Sequence, residues 1–506
     1  FGVIINTIIG HTRFKDSIDE HVEGRIGSMV TDYLVGFGVA SISISIVLEF
    51  AGPILVLCVL GMLTSLFLVR NEMDGDAMKI LIKNGKLVDP ANDIDAFYDV
   101  LIEEDKVARV SQDIDPDILG EGDRLIDAFG KVVMPGFIDL HVHLREPGFE
   151  YKETIRTGCE AAAHGGVTSI CPMPNTKPVI DSPERVRDLL ERAKDAPVHV
   201  LPIGAVTIGQ EGKELADIEG MQETGIVALS EDGKSVMDSL LFRHAMEQAA
   251  QYEIPMFSHC EDKALVDGGV MNAGDKAEEL GLPGITNAVE DVIVARDILI
   301  SKETGAQLHL CHCSTADSAL LVGMAKDQGL RVTAEVCPHH FTMSDQEITE
   351  DDGRFKMNPP LRSPKDVQAL KDALASGVMD VISTDHAPHG AQEKAQSMKK
   401  APFGIVGLET SFALGFTELV QGGYLSLAQL VEKMSVNPAR VLGIDKGNLA
   451  VGKTADLVIA DVEHEYEIDS SSFASMGRNT PFDGKKVTGR VVTTIVDGKI
   501  VYEYSR

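Results

Sequence analysis

His141 and His143 are separated by one residue, and in an extended strand that spacing puts both imidazoles on one face. Neutral imidazole is a common zinc ligand, so the pair offers two nitrogens to one cation. Arg145 lies two residues further on and shares that face if the extended conformation continues. Its planar guanidinium suits a carboxylate held beside the metal. Similar chemistry recurs along the chain. Apolar, β-prone runs end at Glu231-Asp232-Gly233, at His259, at His309 to His312, and at Asp385-His386-Ala387-Pro388-His389. His309 and His312 are three apart and face opposite ways on a strand, so only one of them can be a ligand. Singly, each feature has a plain explanation: a strand-end histidine is usually a hydrogen-bonded surface residue, and Asp before Gly makes turns. Together, four histidines and two carboxylates are what a two-cation hydrolytic centre requires.

Such groups need a scaffold that brings strand ends to one rim. Apolar runs occur at 132–143, 167–174, 198–206, 225–232, 254–260, 307–313, 331–337 and 378–385. Stretches of helical periodicity separate most of them, including one from Ser182, a candidate N-cap with Pro183 in the first turn, and others at 236–251 and 363–375. Eight strands with interleaved helices over about 300 residues predict an α/β chain with a (β/α)8 TIM-type barrel. A doubly wound open sheet is the rival, but no Gly-rich phosphate fingerprint follows any strand. Short strands flank the barrel at 80–82, 98–102 and 106–110, and again at 456–460, 491–496 and 499–502, with Asp497-Gly498 as a hairpin turn. They predict a small β-sandwich domain built from both flanks. The expected division is a hydrophobic extension over 1–77, the small domain over 78–135 and 440–506, and the barrel over 136–439.

From about Lys79 to Tyr502 the chain resembles the bacterial-type dihydroorotases of the cyclic amidohydrolase superfamily. The motifs are HVHLREPG, PMPNT, SEDG, FSHCED, LHLCHCST, EVCPHH, MNPPLR, STDHAPH and LAVGKTADLVI. The resemblance implies reversible hydrolysis of (S)-dihydroorotate to N-carbamoyl-L-aspartate, the third step of pyrimidine synthesis, with two zinc ions per subunit. It places His141 and His143 on the first ion, Asp232 between the ions, and His259 and His312 on the second. Asp385 would bind the first ion and act as the catalytic acid and base. Arg145, Asn175 and His389 would hold the substrate carboxylate, Asn358 the ring amide, and backbone groups of Pro402, Phe403 and Gly404 would complete the pocket. Many relatives bridge their metals with a carboxylated lysine; Asp232 stands at that position here, and Lys234 is a nearby second candidate. Residues 390–401 are polar, flexible in composition, and expected to cover the site. Allantoinases and hydantoinases share the scaffold but lack the arginine after the second histidine. An inactive scaffold partner of aspartate carbamoyltransferase is the rival of another class, but such proteins lose metal ligands and this chain keeps six. A homo-oligomer such as a dimer is expected, and association with aspartate carbamoyltransferase stays open.

Seventy-eight acids against 46 lysines and arginines give a net charge of −32, which repels nucleic acid and anionic lipid and would suit a salty cytoplasm. The seven cysteines lie among apolar segments and read as reduced, buried thiols of a cytoplasmic protein. Residues 33–69 carry one charge, Glu49, and the 20-residue run from Phe50 to Val69 is long enough to span a bilayer. It lies too far from the start for a signal peptide. Lys15 and Arg25 before it and Arg70 after it leave a single span and a hairpin both open, so a membrane tether through 33–69 stands beside translation starting at Met78. A chain starting at Met78 is expected to be soluble and fully active in a dihydroorotate hydrolysis assay, because every motif lies beyond that point. Failure of that shorter chain to fold, when the full chain does, would make residues 1–77 part of the enzyme.

Overall fold

Gly136 divides the first apolar run into two strands with different partners. Before it, Val132–Pro135 pairs antiparallel with Leu457–Glu467 and parallel with Lys86–Asp89. After it, Phe137–Val142 pairs parallel with Val167–Pro172. A Cβ at Gly136 would lie 2.3 Å from the Thr168 side chain, so only glycine admits the crossing. The expectation of one strand over 132–143 is corrected accordingly. The computed structural model describes residues 78–504; the apolar stretch at 33–69, with Cys58, lies outside the described residues.

The middle of the chain alternates strands and helices. A three-stranded parallel sheet has the order His199–Val200, Val167–Pro172, Phe137–Val142. A six-stranded parallel sheet runs Ile203–Ala205, Ala228–Ser230, Met256–Ser258, Leu308–Leu310, Val332–Val336, Val381–Ile382. Leu201 and Pro202 join the two: Leu201 N donates to Ile170 O and the Pro202 carbonyl accepts from Val227 N, both at 2.9 Å. At the other end Val142 bridges His386 in parallel, and His143 N donates to His386 O at 2.8 Å. Neighbours thus follow chain order throughout. The strands are buried on both faces, which is why they read as continuous apolar runs rather than alternating ones.

Helices Ile155–His164, Pro183–Ala193, Ile218–Thr224, Ser239–Gln251, Ala288–Thr304, Ala316–Asp327 and Pro364–Ser376 fall between successive strands. Ser363 caps the last through Asp366 N, and Asp238 caps Ser239–Gln251, which therefore begins later than position 236. Ser182 stands at the start of Pro183–Ala193 without a side-chain cap bond; there the preset φ of Pro183 opens the helix. Among the described residues no helix is long and apolar enough to cross a membrane.

Both flanks form antiparallel-rich sheets. The four-stranded one has the order Lys106–Ser111, Asp99–Glu103, Lys79–Lys83, Arg124–Asp127. The six-stranded one runs Lys499–Glu503, Lys486–Val496, Leu457–Glu467, Val132–Pro135, Lys86–Asp89, Ile94–Phe97. Ile80, Ile82, Val100 and Ile102 from the first share an apolar cluster with Leu457, Ile459 and Ile495 from the second. Asp497 and Gly498 turn the final hairpin at φ 48° and 69°, the left-handed pair that a two-residue turn needs. The six described cysteines are free and buried.

Phe137 begins the first of these strands, is 1% exposed, and stacks on Phe412 with ring centroids 5.2 Å apart. Replacing it with Ala removes that stack and leaves a cavity, so Phe137→Ala should lose about 3–5 kcal/mol of stability. A denaturant midpoint implying less than about 1 kcal/mol would show that the ring is not a keystone of this core.

Candidate active site

The strand ends bring the expected chemistry together. His141 is the fifth residue of Phe137–Val142 and His143 follows that strand. His141 Nε2 lies 3.3 Å from Asp232 Oδ1 and 3.5 Å from Asp385 Oδ1. His143 Nε2 lies 3.0 Å from Asp385 Oδ1 and 3.5 Å from Asp232 Oδ2. Beyond the strand Met256–Ser258, His259 turns Nδ1 to Asp232 Oδ1 at 3.3 Å; His312 Nε2 approaches the same oxygen at 3.6 Å. All six residues are at most 6% exposed. His312 and Asp385 reach the cluster with left-handed backbones, φ 37° and 49°, a conformation that costs non-glycine residues energy and is typical of built sites.

This donor set fits metal cations. His141 Nε2 and Asp232 Oδ1 are buried without a hydrogen-bond partner. His259 Nδ1 and His312 Nε2 face one another at 2.8 Å, an arrangement in which a shared cation satisfies both lone pairs. The ligand atoms of His141, His143 and Asp232 lie within 4.8 Å of one another, as do those of Asp232, His259 and His312. Asp232 belongs to both groups. Burial works to raise its carboxyl, but the facing histidines outweigh that and hold it well below the usual carboxylate range. Burial likewise works against charge on His259, while Asp232 and Glu261 raise it to about 10. The cage therefore attracts positive charge. By contrast, the group His199, Asp456 and Asp497 already holds a cation, the Lys446 ammonium 2.5 Å from Asp456.

Of His309 and His312, it is His312, two residues beyond the strand Leu308–Leu310, that joins the cluster. His309 binds Thr333 Oγ1 at 2.8 Å and Glu335 Oε2 at 3.2 Å. Lys234 points its ammonium to Gln210 O at 2.8 Å and is not part of the cage.

Behind the histidines stands a layer of carboxylates that sequence reasoning missed. Glu335 Oε1 lies 2.9 Å from His141 Nδ1, which fixes the ring with Nε2 free for a cation. Burial pushes the Glu335 carboxyl up, but His141 and His309 overcome this and hold it far below the usual range. Asp139 accepts from His141 N at 3.0 Å and from Thr384 N at 3.2 Å, joining the first strand to the last; burial raises its pKa to about 6. Glu261 Oε2 lies 3.2 Å from His259 Nε2. The available signal was an acid inside an otherwise apolar strand, as in Thr333-Ala334-Glu335-Val336.

Arg145 departs from the strand-face expectation. The strand ends at Val142, Glu146 N turns back to Leu144 O at 2.7 Å, and Arg145 adopts φ 63°. Its guanidinium still comes beside the cage, with Nε donating to Pro388 O at 3.1 Å and Nη2 3.3 Å from His389 Nε2. Burial lowers its pKa to about 10, so it stays charged at neutral pH. Asn175 Oδ1 lies 3.0 Å from His143 Nδ1 and Asn175 Nδ2 3.4 Å from Asp232 Oδ2, so this side chain orients the cage itself. Asn358 Nδ2 donates to the Glu261 carboxylate. His389 Nε2 meets Phe403 O at 2.7 Å. The carbonyls of Pro402 and Gly404 accept from Lys394 Nζ at 3.0 and 2.8 Å, and Gly404 N donates to Lys356 O. Ala391–Lys394 is helical, and Lys394 is buried because its ammonium is saturated by carbonyls, including that of Lys356.

A family model described as dihydro-orotase-like matches residues 130–318. Dihydroorotase of Syntrophus aciditrophicus is 47% identical over 84% of this chain and 100% of its own length. Dihydroorotase of Pelotomaculum thermopropionicum is 49% identical over 84% and 99%. Among solved structures, the L-hydantoinase (dihydropyrimidinase) of Arthrobacter aurescens superposes with TM-score 0.75 at 29% identity, over 84% of this chain and 96% of that one. Dihydropyrimidinase of Brevibacillus agri gives 0.73 at 25% identity, covering 84% and 95%. The strand-end cage, the fold and the similarity over the relatives' length agree, and the chain belongs to the dihydroorotase family.

Proposed function

We infer that the chain is a metal-dependent cyclic amidohydrolase acting as a dihydroorotase, opening dihydroorotate to N-carbamoyl-aspartate and closing it again in pyrimidine synthesis. The observation that carries the substrate is the charged Arg145 guanidinium, placed with His389 beside the Asp232 cage. A cyclic amide needs a hydrolytic centre. A ring that also bears a carboxylate needs a cationic clamp next to it. On this reading the two parallel sheets are one closed (β/α)8 barrel over 136–439, and the flanks 78–135 and 440–506 form one β-sandwich.

Two zinc ions are the proposed occupants, one held by His141, His143, Asp232 and Asp385, the other by Asp232, His259 and His312. Bound there, zinc supplies Lewis acidity, polarising the amide carbonyl and acidifying water. Asp385 takes the proton from the attacking water and returns it to the departing ring nitrogen; its buried carboxyl is kept ionised, below the ordinary carboxylate value, by His141 and His143 against the effect of burial. Arg145 and His389 hold the substrate carboxylate, and Asn358 addresses the ring amide. Asn175 keeps His143 in register with the carboxylates, and its amide nitrogen completes the anion pocket. Backbone groups of Pro402, Phe403 and Gly404 wall the pocket.

His141→Ala or His259→Ala should lower bound metal and abolish turnover, and Glu335→Gln should weaken metal binding by about 10–100-fold in chelator competition. Full metal stoichiometry in both histidine variants, by elemental analysis, would refute the ligand assignment.

Arg145→Met keeps length and removes charge. It should cost about 2–5 kcal/mol of transition-state binding, a fall in kcat/KM of roughly 30-fold to several thousand-fold, with normal metal content. Preference for dihydroorotate over uncharged dihydrouracil should shrink, whereas Asp385→Asn should impair both rings alike. Wild-type efficiency of Arg145→Met on dihydroorotate would put the clamp elsewhere and favour a hydantoinase.

A further inference from the structure

Lys152 has no part in the reaction as set out, yet its side chain is only 12% exposed. Its Nζ lies 3.1 Å from His389 Nδ1 and 3.1 Å from Glu393 Oε1. On the far edge of the same imidazole, Nε2 is 2.7 Å from the Phe403 carbonyl oxygen and 3.3 Å from Arg145 Nη2. An ammonium only donates and a carbonyl only accepts. His389 Nδ1 therefore accepts from Lys152, and Nε2 carries the ring proton and donates to Phe403. A second ring proton has no place: burial, with Arg145, Lys152 and Lys394 nearby, pushes the pKa down to about 2. Arg145 also carries donors only, so its contact with a protonated Nε2 is not a hydrogen bond. Arg145 Nη2 therefore finds no acceptor on this ring and is available to an anion.

We propose that Lys152 is a positioning residue for the substrate carboxylate, holding His389 with Nδ1 as acceptor so that Nε2–H stays on the Phe403 carbonyl and cannot accept from Arg145, whose Nη2 is left to donate to the anion. This rests on the assignment of Arg145 to that carboxylate. The opposite tautomer would aim an N–H at the ammonium and remove the ring's donor from Phe403. It would also let Arg145 donate into Nε2, using up internally a donor meant for substrate. Glu393 extends the arrangement: Oε1 also accepts from Tyr151 OH at 3.3 Å, and Oε2 from Gly390 N at 3.0 Å. Lys152 thereby links the clamp to the helix Ala391–Lys394.

The test uses the full-length metal-loaded enzyme labelled with 15N-histidine, as wild type, Lys152→Met and Lys152→Arg. Two-bond 1H–15N spectra of the wild type should show His389 with Nδ1 unprotonated and Nε2 protonated. In Lys152→Met that single tautomer should be lost and KM for dihydroorotate should rise about tenfold, with kcat falling by less than about threefold; Lys152→Arg should retain most of the wild-type values. A protonated Nδ1 in the wild type overturns the proposal, as does Lys152→Met with unchanged tautomer and KM. If the wild type fails to turn over dihydroorotate, the functional assignment falls, while the wild-type tautomer still judges the role of Lys152.

Discussion

One buried carboxylate organises the catalytic end of the molecule. Asp232 Oδ1 faces His141, His259 and His312 at 3.3, 3.3 and 3.6 Å, and Oδ2 faces His143 at 3.5 Å. An ionised carboxylate taken out of water carries a desolvation cost that only opposite charge or strong hydrogen bonds can offset. Asp232 Oδ1 and His141 Nε2 are both buried without a hydrogen-bond partner, and a cation can satisfy the two together. A cation bound between these donors stabilises both the site and the strand ends that build it. Strands ending at 142, 230, 258, 310 and 382 must stop at one level for that to happen, so the geometry of the sheets and the chemistry of the centre are the same constraint.

The imidazoles do not hold themselves. Glu335 orients His141, Glu261 backs His259, and Asp139 ties the backbone of His141 to that of Thr384. The left-handed turn at His312 is pinned just downstream, where Ser314 N donates to Glu290 Oε1 at 2.8 Å and Arg362 Nε donates to Ser314 Oγ at 3.0 Å. These acids and Arg362 cost solvation energy, which their hydrogen bonds offset. Their return is precision: a ligand fixed by a second partner needs less reorganisation when a metal or substrate arrives.

Arg145 and His389 are carried on the same excursions of chain as two of the cage residues. His389 lies four residues beyond Asp385, and Arg145 two beyond His143, so clamp and cage share their anchoring segments. Lys394 gathers the carbonyls of Lys356, Pro402 and Gly404, drawing together the loops that bear Asn358 and Phe403. The guanidinium and the cage are thus separated by a few residues of backbone rather than by independent domains.

Much of this was legible along the chain because it depends on local chemistry. Two histidines spaced by one residue, Pro183 at a helix start, and Asp497-Gly498 in a hairpin each express a preference that neighbours do not reverse. The strand-end motifs named all six cage residues. What stayed hidden was pairing between distant positions. Glu335 sits 194 residues from His141, and inside an apolar strand it reads as one more extended residue until register sets it opposite the imidazole. Lys152 reads as a surface lysine, but lies against His389, 237 residues away. Arg145 comes beside the cage by a route that spacing does not show, since the strand ends before it and a left-handed turn delivers it. Residue type and spacing determined which reaction this chain could perform. Only the tertiary structure decided which nitrogen of each histidine faces the centre, because a tautomer is set by the partner on the far side of the ring, and folding supplies that partner.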